Sequence, residues 1–148
     1  MANRGYSSST AMYDASKRLY WADREGKRPV IIYLGDHDPS GMDMARDIRD
    51  RLDLMAGWAG IEVQRLALNY DQVEKHQPPP NPAKTTDSRS TAYIVEFGDE
   101  SWELDALDPT VLDNLVSEAI GSLIDWDLYE AKYEEETERG VGLRALPR

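Results

Sequence analysis

Two aspartates one residue apart, Asp36 and Asp38, stand in the stretch VIIYLGDHDPSG, residues 30–41. In an extended turn, residues two apart project toward the same side. Two carboxylates brought close repel one another unless positive charge lies between them. A divalent cation relieves that repulsion, and Mg²⁺ takes oxygen ligands. It usually binds through one or two protein carboxylates, with waters and phosphate oxygens completing its shell. The pair therefore points toward phosphoryl or phosphodiester chemistry. Gly35 and Gly41 would let a backbone or a phosphate approach closely. The same residues carry a second reading with no metal at all. Asp38 caps a helix that Pro39 opens, which is ordinary loop-to-helix chemistry.

Other chemistry-bearing residues lie further along the chain. Lys84 and Arg89, in PAKTTDSR, could grip phosphate from a loop stiffened by four prolines between residues 78 and 82. The alternative makes them solvated loop charges or partners of Asp87. Arg65 faces either the ligand edge of a sheet or solvent. His37 sits between the two acids, and alternation turns its side chain away from them. With no cysteine and two histidines, His37 and His76, the chain has no thiolate metal site, no disulfide and no histidine-rich zinc site.

The elements that position these residues are legible from periodicity. SSSTAMYDASKRLYWADREG reads as a helix with a serine cap; Met12, Ala15, Leu19 and Ala22 share one face, and Gly26 ends it. VIIYL is a short β-branched run of the kind found in parallel strands covered on both faces. A second helix follows from Asp38, with Met44, Ile48, Leu52 and Met55 on its apolar side. IEVQRLAL reads as the next strand, and Asn69 caps a short helix over YDQVEKH. TAYIVEF and SWELDAL read as further strands. DPTVLDNLVSEAIGSLI is a helix capped by Asp108, with Leu112, Leu115, Val116, Ala119, Ile120 and Leu123 as its stripe. DWDLYEAKYEEETERG continues as a charged helix or tail. Tyr93, Phe97 and Trp102 read as core; Trp58 and Trp126 as core or partner contacts.

A chain of 148 residues, 41% hydrophobic and 30% charged, suits one α/β domain over residues 1–125 with an acidic extension over 126–148. It lacks an apolar run of membrane-spanning length and a leader, so a cytoplasmic protein is expected. The net charge is -11, and the whole excess falls in residues 90–148, with four basic residues against fifteen acidic ones. That argues against metal-free attraction to DNA, although bound Mg²⁺ would offset the carboxylates locally.

Three segments in order, GYSSSTAMYDASKRL, VIIYLGDHDPSGMDMARDI and WELDAL, resemble the Toprim domain of the topoisomerase VI A subunit and its meiotic double-strand-break relatives. The strongest likeness is to uncharacterised Toprim-like proteins of bacteria, phages and mobile elements. The resemblance covers roughly residues 3 to 125. It implies a Rossmann-like, mostly parallel sheet flanked by helices, truncated at its N-terminus relative to the family. It also implies an Mg²⁺ site, with Mn²⁺ as a substitute, in which Asp36 and Asp38 match the Asp-x-Asp pair. The family's glutamate on an earlier strand has no counterpart here, so the chain is read as a fragment or as lacking that strand. Glu103, in WELDAL, is the candidate third acid, with Glu96 on the preceding strand as another. The expected function is metal-dependent action on nucleic-acid phosphodiesters, DNA before RNA, as a nuclease or strand-breaking component. The alternatives are a catalytically degenerate module whose acidic C-terminal half docks a protein partner, and a phosphatase with an aspartyl nucleophile.

Overall fold

A computed structural model describes residues 7–57, 61–83 and 89–138. The chain is mixed α/β, with helix predominating. It divides into two compact units, residues 1–112 and 113–148, and the division falls inside one helix.

In the first unit, α1 (Ser9–Arg24) begins where the Ser8 side chain accepts the Ala11 N–H at 3.2 Å. Strand β1 (Val30–Leu34) leads into α2 (Pro39–Ala56), capped by Asp38 as its Asp-Pro sequence predicts. Strand β2 (Glu62–Ala67) runs parallel to β1, from Val30 beside Glu62 to Leu34 beside Ala67. Met12, Leu52, Ile61 and Val63 form the buried core between these elements, with Ala15, Leu19, Ile31, Ile48 and Met55 packed against it. Each fully buried aliphatic side chain contributes on the order of 2 kcal/mol, so this cluster holds α1 and α2 on the strand pair.

Helix α3 (Tyr70–His76) follows β2, closed by the Gln72 side chain accepting the Asn69 N–H at 2.9 Å. Among the described residues the remaining sheet is small. Two residues of β3 (Asn81–Pro82) pair antiparallel with two of β4 (Glu100–Ser101). Among the described residues, the mostly parallel sheet that the resemblance implies is represented by a two-stranded parallel pair and this short antiparallel ladder.

Two expected strands are corrected. TAYIVEF lies in α4 (Ser90–Phe97), and SWELDAL is divided between β4, a single bridging residue and a 3₁₀ turn over Leu104–Ala106. The β-branched content of TAYIVEF suggested a strand, but its buried contacts recur with the helical period. Ser90 and Tyr93 are buried, and the Phe97 ring packs on His37. Val95, on the opposite side of this helix, is 84% exposed.

Helix α5 (Pro109–Leu123) crosses the unit boundary, with Asp108 accepting the Thr110 N–H at 2.7 Å, and α6 (Trp126–Glu138) follows in the second unit. Among the described residues no helix is long and apolar enough to cross a membrane.

Candidate functional site

Strands β1 and β2 end side by side. Gly35 N–H donates to Ala67 O at 2.8 Å and Leu68 N–H to Gly35 O at 2.7 Å, carrying the pairing past the strand ends. The chain then passes through Asp36, His37 and Asp38 before α2 begins. Alternation holds across these three residues. Asp36 is exposed and Asp38 half-buried, while His37 is fully buried.

Each carboxylate is oriented through one oxygen by a backbone donor. Asp36 Oδ1 accepts the Leu104 N–H at 2.9 Å, and Asp38 Oδ1 accepts the Gly41 N–H at 2.5 Å. Among the described residues the second oxygen of each makes no hydrogen bond. Asp38 therefore caps the helix and still presents a carboxylate oxygen. The cap and ligand readings are compatible.

The turn is also stitched to the WELDAL segment. His37 N–H donates to Trp102 O at 2.8 Å, and Trp102 N–H returns to His37 O at 3.0 Å. Glu103 stands exposed at the start of the 3₁₀ turn, and it is the N–H of its neighbour Leu104 that meets Asp36. Among the described residues no three His, Asp or Glu side chains come together as a metal centre, so neither Glu103 nor Glu96 completes one with the aspartates.

Beneath the turn lies a residue whose role the strand pattern left undecided. Arg65, on β2, is half-buried and turned toward the carboxyl ends of the strands. Its guanidinium donates to four backbone carbonyls: Gly41 at 2.7 Å, Asp36 at 2.7 Å, Leu68 at 2.9 Å and Gly35 at 3.2 Å. It also lies over the Tyr33 ring, 5.5 Å from the centroid. One side chain thus ties the end of β1, the first turn of α2 and the end of β2 together. Burial pulls the Arg65 pKa below its ordinary value; the Tyr33 hydroxyl and the charges of Asp38 and Asp36 act in the opposite sense. Arg65 therefore supplies positive charge beside the acid pair, and the pair's mutual repulsion does not by itself require a bound cation. The only hint of this in the sequence was a lone arginine inside the otherwise apolar half of IEVQRLAL.

The two glycines are explained by the chain itself. A Cβ on Gly41 would fall on the Asp36 carbonyl oxygen, and one on Gly35 would fall on the Tyr33 hydroxyl. The close approach they allow is of the protein's own atoms, not of a phosphate.

On the inner side of the turn, His37 sits in an aromatic box of Tyr70, Tyr93, Phe97 and Trp102, with ring centroids between 4.7 and 5.7 Å away. His37 Nδ1 lies 2.8 Å from Tyr93 Oη, which is also 2.9 Å from His37 O and 3.1 Å from Glu100 O. With its one proton directed to a carbonyl, the tyrosine hydroxyl accepts from His37 Nδ1–H, which assigns that tautomer. Nε2 is then a buried acceptor with no hydrogen-bond partner among the described residues. Burial, chiefly, and the nearby Arg65 lower the His37 pKa and keep the ring neutral. Burial also raises the Tyr93 pKa, with the Asp38 charge adding to it.

Of the candidate phosphate-binding residues, Arg89 lies among the described ones. Arg89 precedes α4 and bridges to Asp43 on α2 at 2.8 Å, while Asp43 also receives Arg46 at 2.7 Å. The adjoining cleft of about 260 Å³, lined by Pro39, Met42, Asp43, Arg89, Tyr93 and Glu96 among others, carries two carboxylates to one guanidinium. Lys84, Asp87 and Trp58 lie outside the described residues.

Comparison of the chain with protein-family models, with curated proteins and with solved structures finds no match in any of the three.

Proposed function

We propose that the chain is a Toprim-type module acting on nucleic-acid phosphodiesters, DNA before RNA, with Mg²⁺ or Mn²⁺ held by Asp36 and Asp38. The observation that carries this reading is the presentation of the two acids. They stand at the carboxyl end of a parallel strand pair, each fixed through one oxygen by a backbone N–H, with the other unbonded among the described residues. Ligands of α/β proteins commonly sit beyond that end of the sheet. Two carboxylate oxygens match the small protein share of an Mg²⁺ shell, so the residues present fit the ion.

In this reading the chain's own groups do the positioning. Gly41 N–H and Leu104 N–H fix the two carboxylates, and Arg65 locks the turn that carries them. The bound ion would supply positive charge against the phosphate oxygens.

The test is the thermal midpoint with millimolar Mg²⁺ or Mn²⁺, run beside a plasmid-nicking assay. The ion should raise the midpoint by a few degrees, and Asp36→Asn with Asp38→Asn should remove the rise together with any nicking. An unchanged midpoint at millimolar metal would sink the reading.

A second reading, a non-catalytic assembly module, is favoured by one observation: Arg65 already places positive charge beside the pair. An unchanged midpoint at millimolar metal, with no nicking and co-purification with a protein partner, would select it over the first.

A further inference from the structure

Helix α6 contributes no buried side chain among its described residues, although it carries three aromatic ones. Trp126, Tyr129 and Tyr133 are spaced three and four apart, which stacks them along one face. They are 52%, 55% and 56% exposed. Trp126 and Tyr129 meet edge to face at 5.7 Å, and Trp126 Nε1 donates to Gly121 O at 3.2 Å, fixing the start of the stripe to the end of α5. Scattered exposed aromatics need no explanation, but a continuous row is the composition of a contact surface.

The charge around the row says what it can contact. Helix α6 carries six acidic residues and one lysine, and Lys132 is already paired with Glu135 at 3.0 Å. By helical spacing Glu130 flanks the row on one side and Glu136 on the other. A second copy would set this acidic face against itself, and nucleic acid or anionic lipid would be repelled outright. A guanidinium or ammonium is attracted twice, by the ring faces and by the flanking carboxylates.

We propose that the Trp126–Tyr129–Tyr133 row, with Glu130 and Glu136, is a docking surface for a Lys/Arg-rich segment of a partner protein. The surface is independent of the Asp36/Asp38 site and stands whatever that site does.

The experiment uses the full chain and a fluorescent oligo-arginine peptide, read by anisotropy, with oligo-glutamate as the control. The arginine peptide should bind with strong salt dependence and the control should not. Trp126→Ser with Tyr129→Ser leaves every charge in place and should weaken binding about tenfold, from the loss of two ring contacts. Glu130→Gln with Glu136→Gln should weaken it and flatten the salt dependence. Helicity by circular dichroism should be unchanged in both variants, since the altered side chains are solvent-facing. Equal binding by the serine variant would reduce the effect to diffuse charge and overturn the proposal. So would a concentration-dependent dimer in sedimentation that the serine variant abolishes, because the row would then belong to a second copy.

Discussion

Replacing Arg65 by methionine keeps most of the side chain's length and apolar stem while deleting its charge and all its donors. Four carbonyls lose a charged donor at once, Gly35, Asp36, Gly41 and Leu68, although Gly35 O keeps the Leu68 N–H and Gly41 O the Tyr33 hydroxyl. A hydrogen bond from a charged donor is worth roughly 1.5–3 kcal/mol, and leaving a buried acceptor unsatisfied costs a similar amount. Two terms reduce the sum. The guanidinium's own desolvation cost, visible in its lowered pKa, disappears, and the Asp36 carbonyl contact is exposed enough for water to replace it. A net loss of about 3 kcal/mol follows, within the range for removing one partner of a buried ionic cluster. For a chain of this size that is a fall of roughly 10 °C in the thermal midpoint. Arg65→Lys retains the charge but not the planar fork, so it should lose about half as much. Urea unfolding followed by circular dichroism measures both. A methionine variant within about 1 kcal/mol of the parent, or a lysine variant as damaged as the methionine one, would refute the claim that these four contacts hold the turn.

Three further outcomes are expected. Gly41→Ala drives a methyl group into the Asp36 carbonyl and should destabilise by about 2 kcal/mol in the same urea assay; a neutral result would contradict the close approach. Asp38→Ala should cost about 1 kcal/mol as a lost helix cap, whereas Asp38→Asn, which caps equally well, should hold stability while abolishing any metal-induced shift. Because burial lowers the His37 pKa in the folded chain, the unfolded chain takes up that proton first as pH falls. His37's contribution is therefore whole above about pH 6.5. Below that it falls by up to about 1.4 kcal/mol per pH unit until the folded ring also titrates. Unfolding midpoints at pH 7.5 and 5.5 should diverge more in the parent than in His37→Gln, and equal divergence would place the acid sensitivity elsewhere.

The sequence by itself determined whatever depends on neighbours along the chain. The caps at Ser8, Asp38, Asn69 and Asp108, the apolar faces of α1 and α2, and the parallel strands β1 and β2 follow from residue type and period. So does the turning-away of His37 from its flanking acids. Tertiary structure alone decided what depends on which surfaces meet. TAYIVEF has the composition of a strand, yet the buried hydroxyl of Tyr93 finds its partners at His37 and Glu100 only when the segment is helical. Arg65 is an unremarkable strand residue until the ends of β1, β2 and the start of α2 converge on it. The hydrogen bond from Leu104 to Asp36 spans 68 residues. Periodicity records the local choice of helix or strand, but a contact of that span exists only once the intervening chain has folded, and so no short stretch of sequence can encode it.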